Sequence, residues 1–127
     1  MGNRPHSVVC TKCSLHKIMS NSKSLHELQA LVDAFARERR WERFHAPKNL
    51  AMSVAIEAAE LMEHFQWTKV HEEVSTEQQA LIGEEMADVL AYLLRLASVL
   101  EIDLSQAFQA KMLKNAIKYP VASSSDQ

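Results

Sequence analysis

The chain has few residues that break a helix. Its 127 positions hold two glycines and three prolines, while Ala, Leu, Glu and Met are abundant. That composition disfavours a turn-rich β fold and predicts an all-helical one. No apolar run approaches the roughly 18 residues a membrane-spanning helix needs, and the opening Met1-Gly-Asn-Arg-Pro-His6 has no apolar signal-peptide core. A cytoplasmic location is therefore expected. A net charge of −2 supplies no broad basic footprint for nucleic acid. Cysteine is nearly absent. The two that occur, Cys10 and Cys13, stand four residues inside His6 and three residues ahead of His16. Such a set counts four zinc donors, but zinc modules part their ligand pairs by a longer loop. Residues 1–23 show no periodicity and read as a disordered N-terminal tail, with Met19 as a second candidate start.

What remains is one domain with a modest core. Ser24-Leu-His-Glu27 is a capping box that opens a first helix to about Arg40, with Leu25, Leu28, Leu31, Val32 and Phe35 as its apolar stripe. An irregular stretch follows, Trp41 to Lys48, in which Pro47 disfavours a helix interior. Asn49 is the expected N-cap of a second helix running to Gln66. Ser75 or Thr76, each followed at i+3 by Gln78 or Gln79, caps a third helix to about Leu100. Asp103 caps a fourth, Leu104 to Lys118, stopped by Tyr119-Pro120. Residues 122–127 read as a C-terminal tail. Four helices on short connections predict a four-helix bundle over residues 24–121.

Two carboxylate pairs at i,i+3 spacing interrupt the apolar runs of this bundle. From Leu50 to Met62 the only charges are Glu57 and Glu60, and from Met86 to Leu94 the only one is Asp88, with Glu85 just before. On a heptad seam, Glu57 shares a face with Leu50, Val54 and Leu61, and Glu85 and Asp88 share one with Leu81, Tyr92 and Val99. A solvated face would carry Lys or Arg at i+4; here the i+4 positions are Leu61, His64, Val89 and Tyr92. Converging unpaired carboxylates cost several kcal/mol per ion, and like charges about 5 Å apart repel by roughly 3 kcal/mol at an effective dielectric near 20. A cation among them is the remedy. The all-oxygen donor set selects Mg²⁺ or a similar hard ion. Ferritin-like iron sites need Glu-x-x-His, which neither pair supplies.

Trp41, Phe44 and His45 precede the second helix, Trp67 follows it, and Tyr92 lies one turn beyond Asp88. These aromatics either close the ends of the bundle or stack on a nucleobase, an interaction worth roughly 1–3 kcal/mol per ring. Lys111, Asn115 and Lys118 share a face of the fourth helix. They complement its dipole or neutralise phosphate.

In these residues the chain resembles the MazG-like all-α nucleoside triphosphate pyrophosphatases, which carry an ExxE pair, a spacer and an ExxD pair. It is most similar to their dCTP pyrophosphatase branch, over residues 25–121. The shared stretches are Glu38-Arg-Arg-Trp41-Glu-Arg-Phe-His45-Ala-Pro-Lys-Asn49, the two acidic pairs, Glu63-His-Phe-Gln-Trp67, Lys111-Met112, and Asn115 to Pro120. The resemblance implies a dimer or tetramer that cuts a nucleoside triphosphate between its α- and β-phosphates. It implies Glu57, Glu60, Glu85 and Asp88 as catalytic ligands of Mg²⁺; two or more ions are expected there, with Glu60 expected to activate the attacking water. By the same resemblance Trp41, Glu42, Arg43, Phe44, His45, Trp67 and Tyr92 contact the nucleotide, and the basic stripe of Lys111, Asn115 and Lys118 is expected to hold the departing pyrophosphate. Val32 departs from the branch by replacing a substrate-contacting histidine, which bears on base preference. The expected substrate is dCTP or a modified dCTP. The alternatives are a broad-specificity or phosphoribosyl-ATP pyrophosphatase, or a non-catalytic oligomerisation module with a structural cation.

Overall fold

The structure is a computed structural model that describes residues 22–122. Cys10, Cys13, His6 and His16 lie outside the described residues, as do nearly all of both expected tails. Four α-helices and one 3₁₀ turn follow in order: α1 (Leu25–Glu38), the 3₁₀ turn (Trp41–Phe44), α2 (Pro47–Glu63), α3 (Thr76–Val99) and α4 (Leu104–Lys118). No strand occurs among the described residues, as the composition predicts. No helix there is long and apolar enough to cross a membrane.

Helix starts follow local chemistry. Ser24 Oγ accepts from the Glu27 N–H at 3.2 Å, and Glu27 Oε2 accepts from the Ser24 N–H at 2.6 Å. Ser75 and Gln78 repeat this box at α3, at 3.2 and 3.0 Å. Asp103 accepts from the Gln106 N–H at 3.0 Å and caps α4. Each bond satisfies an N–H with no partner inside its helix.

Two helix ends and one start differ from expectation. α1 stops at Glu38 because Arg40 adopts a left-handed φ of 54°. The resulting turn folds Trp41 edge-on against Phe35, ring centroids 5.6 Å apart. The Arg39 guanidinium lies 3.4 Å from the same Phe35 centroid. α2 begins at Pro47, with Ala46 as N-cap, since the missing N–H of a proline costs nothing at the first helical position. Asn49 is therefore not the cap. It sits within the first turn, and its Nδ2 donates to the Phe44 carbonyl at 3.1 Å, fastening the 3₁₀ turn to α2. α2 ends at Glu63, short of Gln66, and turns through residues 64–67.

The principal packing is α2 against α3, with α1 laid on α3 and on the 3₁₀ turn. Its centre is Ala36 of α1, Leu50 of α2, and Leu94 and Ala97 of α3. α4 has only marginal contact with the rest. Its Phe108, Leu113 and Ile117 are 64, 70 and 83% exposed. Within one chain, three helices of the expected bundle pack together and the fourth leaves its apolar residues uncovered.

Candidate active site

Glu57 sits in the middle of α2, and Glu85 and Asp88 lie one turn apart in α3. Across the α2–α3 seam, one carboxylate oxygen from each comes within 4.8 Å of the other two. The i,i+3 spacing puts Glu85 and Asp88 on one face, and packing aims that face at Glu57. Glu57 and Glu85 are half-buried and Asp88 is exposed. Burial pushes the Glu57 carboxyl above the usual carboxylate range, and Glu60, through its charge and a hydrogen bond, raises it further. Asp88 and Glu85 add to the same effect. Glu60 itself is exposed beside this trio rather than within it. His64 Nε2 stands 3.8 Å from Glu85 Oε1. Like-charged oxygens at this spacing suit a hard divalent cation.

Asp88 also lines a hollow of about 140 Å³ with Val32, Phe35, Trp41, His45, Tyr92 and Arg95. A second hollow, about 280 Å³, is lined by Trp41, Phe44, His45, Asn49, Ser53 and Tyr92. Trp41, His45 and Tyr92 belong to both. An aromatic cavity therefore adjoins the acidic cluster. Val32 lines the first hollow, so the position expected from the sequence to bear on base preference is a cavity position.

Other sequence candidates lie elsewhere. Glu42 faces Arg37 at 4.0 Å on the surface, and the Arg43 guanidinium covers the Phe44 ring at 4.6 Å. Trp67 is 89% exposed beyond the end of α2. Lys111, Asn115 and Lys118 are carried by α4 and line neither hollow.

Sequence reasoning missed a polar chain that reaches the cavity wall through Arg95. Arg95 donates from Nη1 to Asp33 Oδ1 at 2.7 Å and from Nε to His45 Nδ1 at 3.1 Å. Ser98 Oγ donates to Asp33 Oδ2 at 2.7 Å and accepts from Gln29 Nε2 at 2.7 Å. The available signal was one lone charge in each apolar run: Asp33 between Leu28 and Phe35, and Arg95 between Asp88 and Glu101.

Fold and site together define an all-helical protein with an acidic cluster between two helices and an aromatic cavity beside it. The MazG-like family pattern matches residues 52–127. The bovine dCTP pyrophosphatase 1 is 41% identical over 107 residues, and the human protein of that name 39% over 105. Each match takes in 80% of this chain, which spans 62–63% of the length of these curated relatives. A solved pyrophosphatase from Archaeoglobus fulgidus superposes with a TM-score of 0.65 at 40% identity, over 80% of this chain and 96% of that one. The chain belongs to the MazG-like family.

Proposed function

We propose that this protein is a Mg²⁺-dependent nucleoside triphosphate pyrophosphohydrolase that converts dCTP, or a modified dCTP, to the monophosphate and pyrophosphate. The observation that carries this reading is the shared residue Asp88, which joins the carboxylate trio to the aromatic cavity. That adjacency suits a substrate with a stacking base at one end and a polyphosphate at the other. Relatives named dCTP pyrophosphatase 1 and the archaeal pyrophosphatase support it.

Glu57, Glu85 and Asp88 would hold the metal, with Glu60 at the rim. Bound there, Mg²⁺ would supply the positive charge that phosphoryl transfer needs. Glu60, exposed next to the trio, would orient the attacking water and take its proton. Trp41 and Tyr92 stack on the base, with Phe44 at the outer hollow. His45 hydrogen-bonds the base, and Glu42, Arg43 and Trp67 border the entrance. Lys111, Asn115 and Lys118 hold the leaving pyrophosphate. Because α4 makes only sparse contact with the helices that carry the carboxylates, they act in a homodimer or homotetramer, which the uncovered apolar residues of α4 also favour. The setting proposed is the cytoplasm. A second reading, a pyrophosphatase of broader base preference, draws on the apolar Val32 in the cavity wall.

The test is incubation of the protein with Mg²⁺ and each of the eight common (d)NTPs, with products resolved by anion exchange beside Glu60→Gln. The expected result is dCMP and pyrophosphate, lost in the variant. Equal monophosphate from all eight would retain the reaction and discard the dCTP assignment. No product from any would sink the proposal.

A further inference from the structure

We propose that Arg95 is a positioning residue that fixes His45 as its Nε2–H tautomer, so that the aromatic cavity presents a hydrogen-bond donor to an acceptor atom of the bound base. The identity of the occupant rests on the pyrophosphatase reading; the tautomer does not.

A guanidinium has donors only. Since Arg95 Nε–H points at His45 Nδ1 across 3.1 Å, that nitrogen must be the bare acceptor of the ring. A neutral imidazole with Nδ1 bare carries its proton on Nε2. Protonating Nδ1 would set two donors against each other. The surroundings agree: burial and the adjacent Arg95 charge hold the His45 imidazole below its ordinary pKa, and Glu42 only partly offsets them.

Arg95 cannot readily turn away. Its side chain is 12% exposed and bonded to Asp33, whose second oxygen is taken by Ser98, which is taken in turn by Gln29. This chain spans α1 and α3 and leaves no member unpaired. Moving the guanidinium would strand partly buried groups. His45 lines both hollows together with Trp41 and Tyr92, and its Nε2 has no hydrogen-bond partner among the described residues.

Stacking tolerates every base; a donor fixed opposite position 3 of a pyrimidine does not. Cytosine offers two adjacent acceptors, O2 and N3, whereas uracil and thymine carry N–H at position 3. Facing position 3, a donor locked at His45 Nε2 favours cytosine over uracil or thymine, and Arg95 sets that preference through His45.

The test uses the full chain, free of substrate, with imidazole ¹⁵N spectra at neutral pH and the His45 signals assigned by their loss in His45→Gln. The wild type should show His45 as neutral Nε2–H. Arg95→Met should show mixed tautomers, a higher titration midpoint and dCMP affinity weakened roughly 10-fold, the worth of one neutral hydrogen bond. Affinity for dUMP should fall less, so discrimination narrows. Should Arg95→Met unfold with Asp33 unpaired, Asp33→Leu/Arg95→Met removes both charges and serves instead. A wild-type ring with its proton on Nδ1, or charged at neutral pH, overturns the proposal without any variant. So does an unchanged dCMP-to-dUMP ratio once Arg95 is gone. Turnover of dCTP is read in the same samples: a change of tautomer and discrimination without turnover would refute the reaction and uphold the role of Arg95.

Discussion

Glu57 of α2 and Asp88 of α3 hold carboxylate oxygens within 4.8 Å of each other, with Glu85 completing the set. In a medium of effective dielectric 20 such a pair repels by about 3 kcal/mol, reduced where water reaches Asp88. Glu57 registers the strain as a carboxyl that holds its proton more tightly than usual. A cluster that weakens the metal-free fold is one that a cation stabilises, because binding confined to the native state adds directly to stability.

Millimolar Mg²⁺ should accordingly raise the melting temperature of the wild type and leave that of Glu57→Gln unmoved. In EDTA the order reverses. Glu57→Gln should then be the more stable by about 1 kcal/mol, some 4–8 °C for a domain of this size. Thermal melts with and without the ion decide it. No shift from Mg²⁺ and no gain from the substitution would show that the carboxylates are not electrostatically coupled.

The same group fixes a pH dependence. Its folded pKa lies above the ordinary 4.5. Between the two values the native state binds the proton more tightly than the unfolded chain does. The contribution of Glu57 is thus fully present below the unfolded pKa and is lost as pH rises through the folded one. In EDTA, the stability advantage of Glu57→Gln over the wild type should grow from about pH 4 to about pH 7. Urea melts across that range measure it, and an advantage that is flat or shrinks with pH contradicts the assignment.

The parts of the molecule legible in the sequence are those governed by neighbours within four residues. Ser24 with Glu27, Ser75 with Gln78, and Asp103 with Gln106 each set a helix start by a bond spanning three positions. The i,i+3 spacing was enough to set Glu85 beside Asp88, but the four converging carboxylates expected from the sequence included Glu60, which stands exposed beside the cluster of Glu57, Glu85 and Asp88. Ends were overrun where polar residues such as Arg39 and Gln66 tolerate helix and the backbone turn of Arg40 decides instead. Asn49 has the chemistry of a cap, yet its amide is drawn to Phe44. The partners of Asp33, at sequence separations of 62 and 65, could not be read from any local rule.

Gly83 offers a stability test independent of the site. It lies within α3, and a Cβ built there meets nothing within 4 Å. Replacement by alanine removes the entropic cost of a helical glycine, so Gly83→Ala should stabilise the protein by about 1 kcal/mol. A melt that shows a loss instead would mean that another copy of the chain closes on this surface.

Asp33 and Arg95 pair at 2.7 Å with side chains only 25 and 12% exposed. Removing one partner strands the other. Asp33→Ala should cost about 3 kcal/mol, and Asp33→Leu/Arg95→Met should recover much of it, because no charge is then left unpaired. A double-mutant cycle by urea denaturation gives the coupling directly. Additive losses would mean that the two side chains are solvated independently.

Lys111, Asn115 and Lys118 sit on the helix whose Phe108, Leu113 and Ile117 are uncovered, and that helix makes only sparse contact with the two that carry the carboxylates. If they hold pyrophosphate, α4 must deliver them to the carboxylates of another copy. Glu60→Gln should then be inactive, and so should Lys111→Ala/Lys118→Ala. Refolding the two together should restore activity. In a dimer, half of the molecules are hybrids and one of their two sites is intact, so about one quarter of the wild-type activity should return. Light scattering on Phe108→Ser/Ile117→Ser should show a smaller assembly. Hybrids that form and stay inactive would confine the basic stripe to complementing the dipole of its own helix, with the pyrophosphate held by other groups.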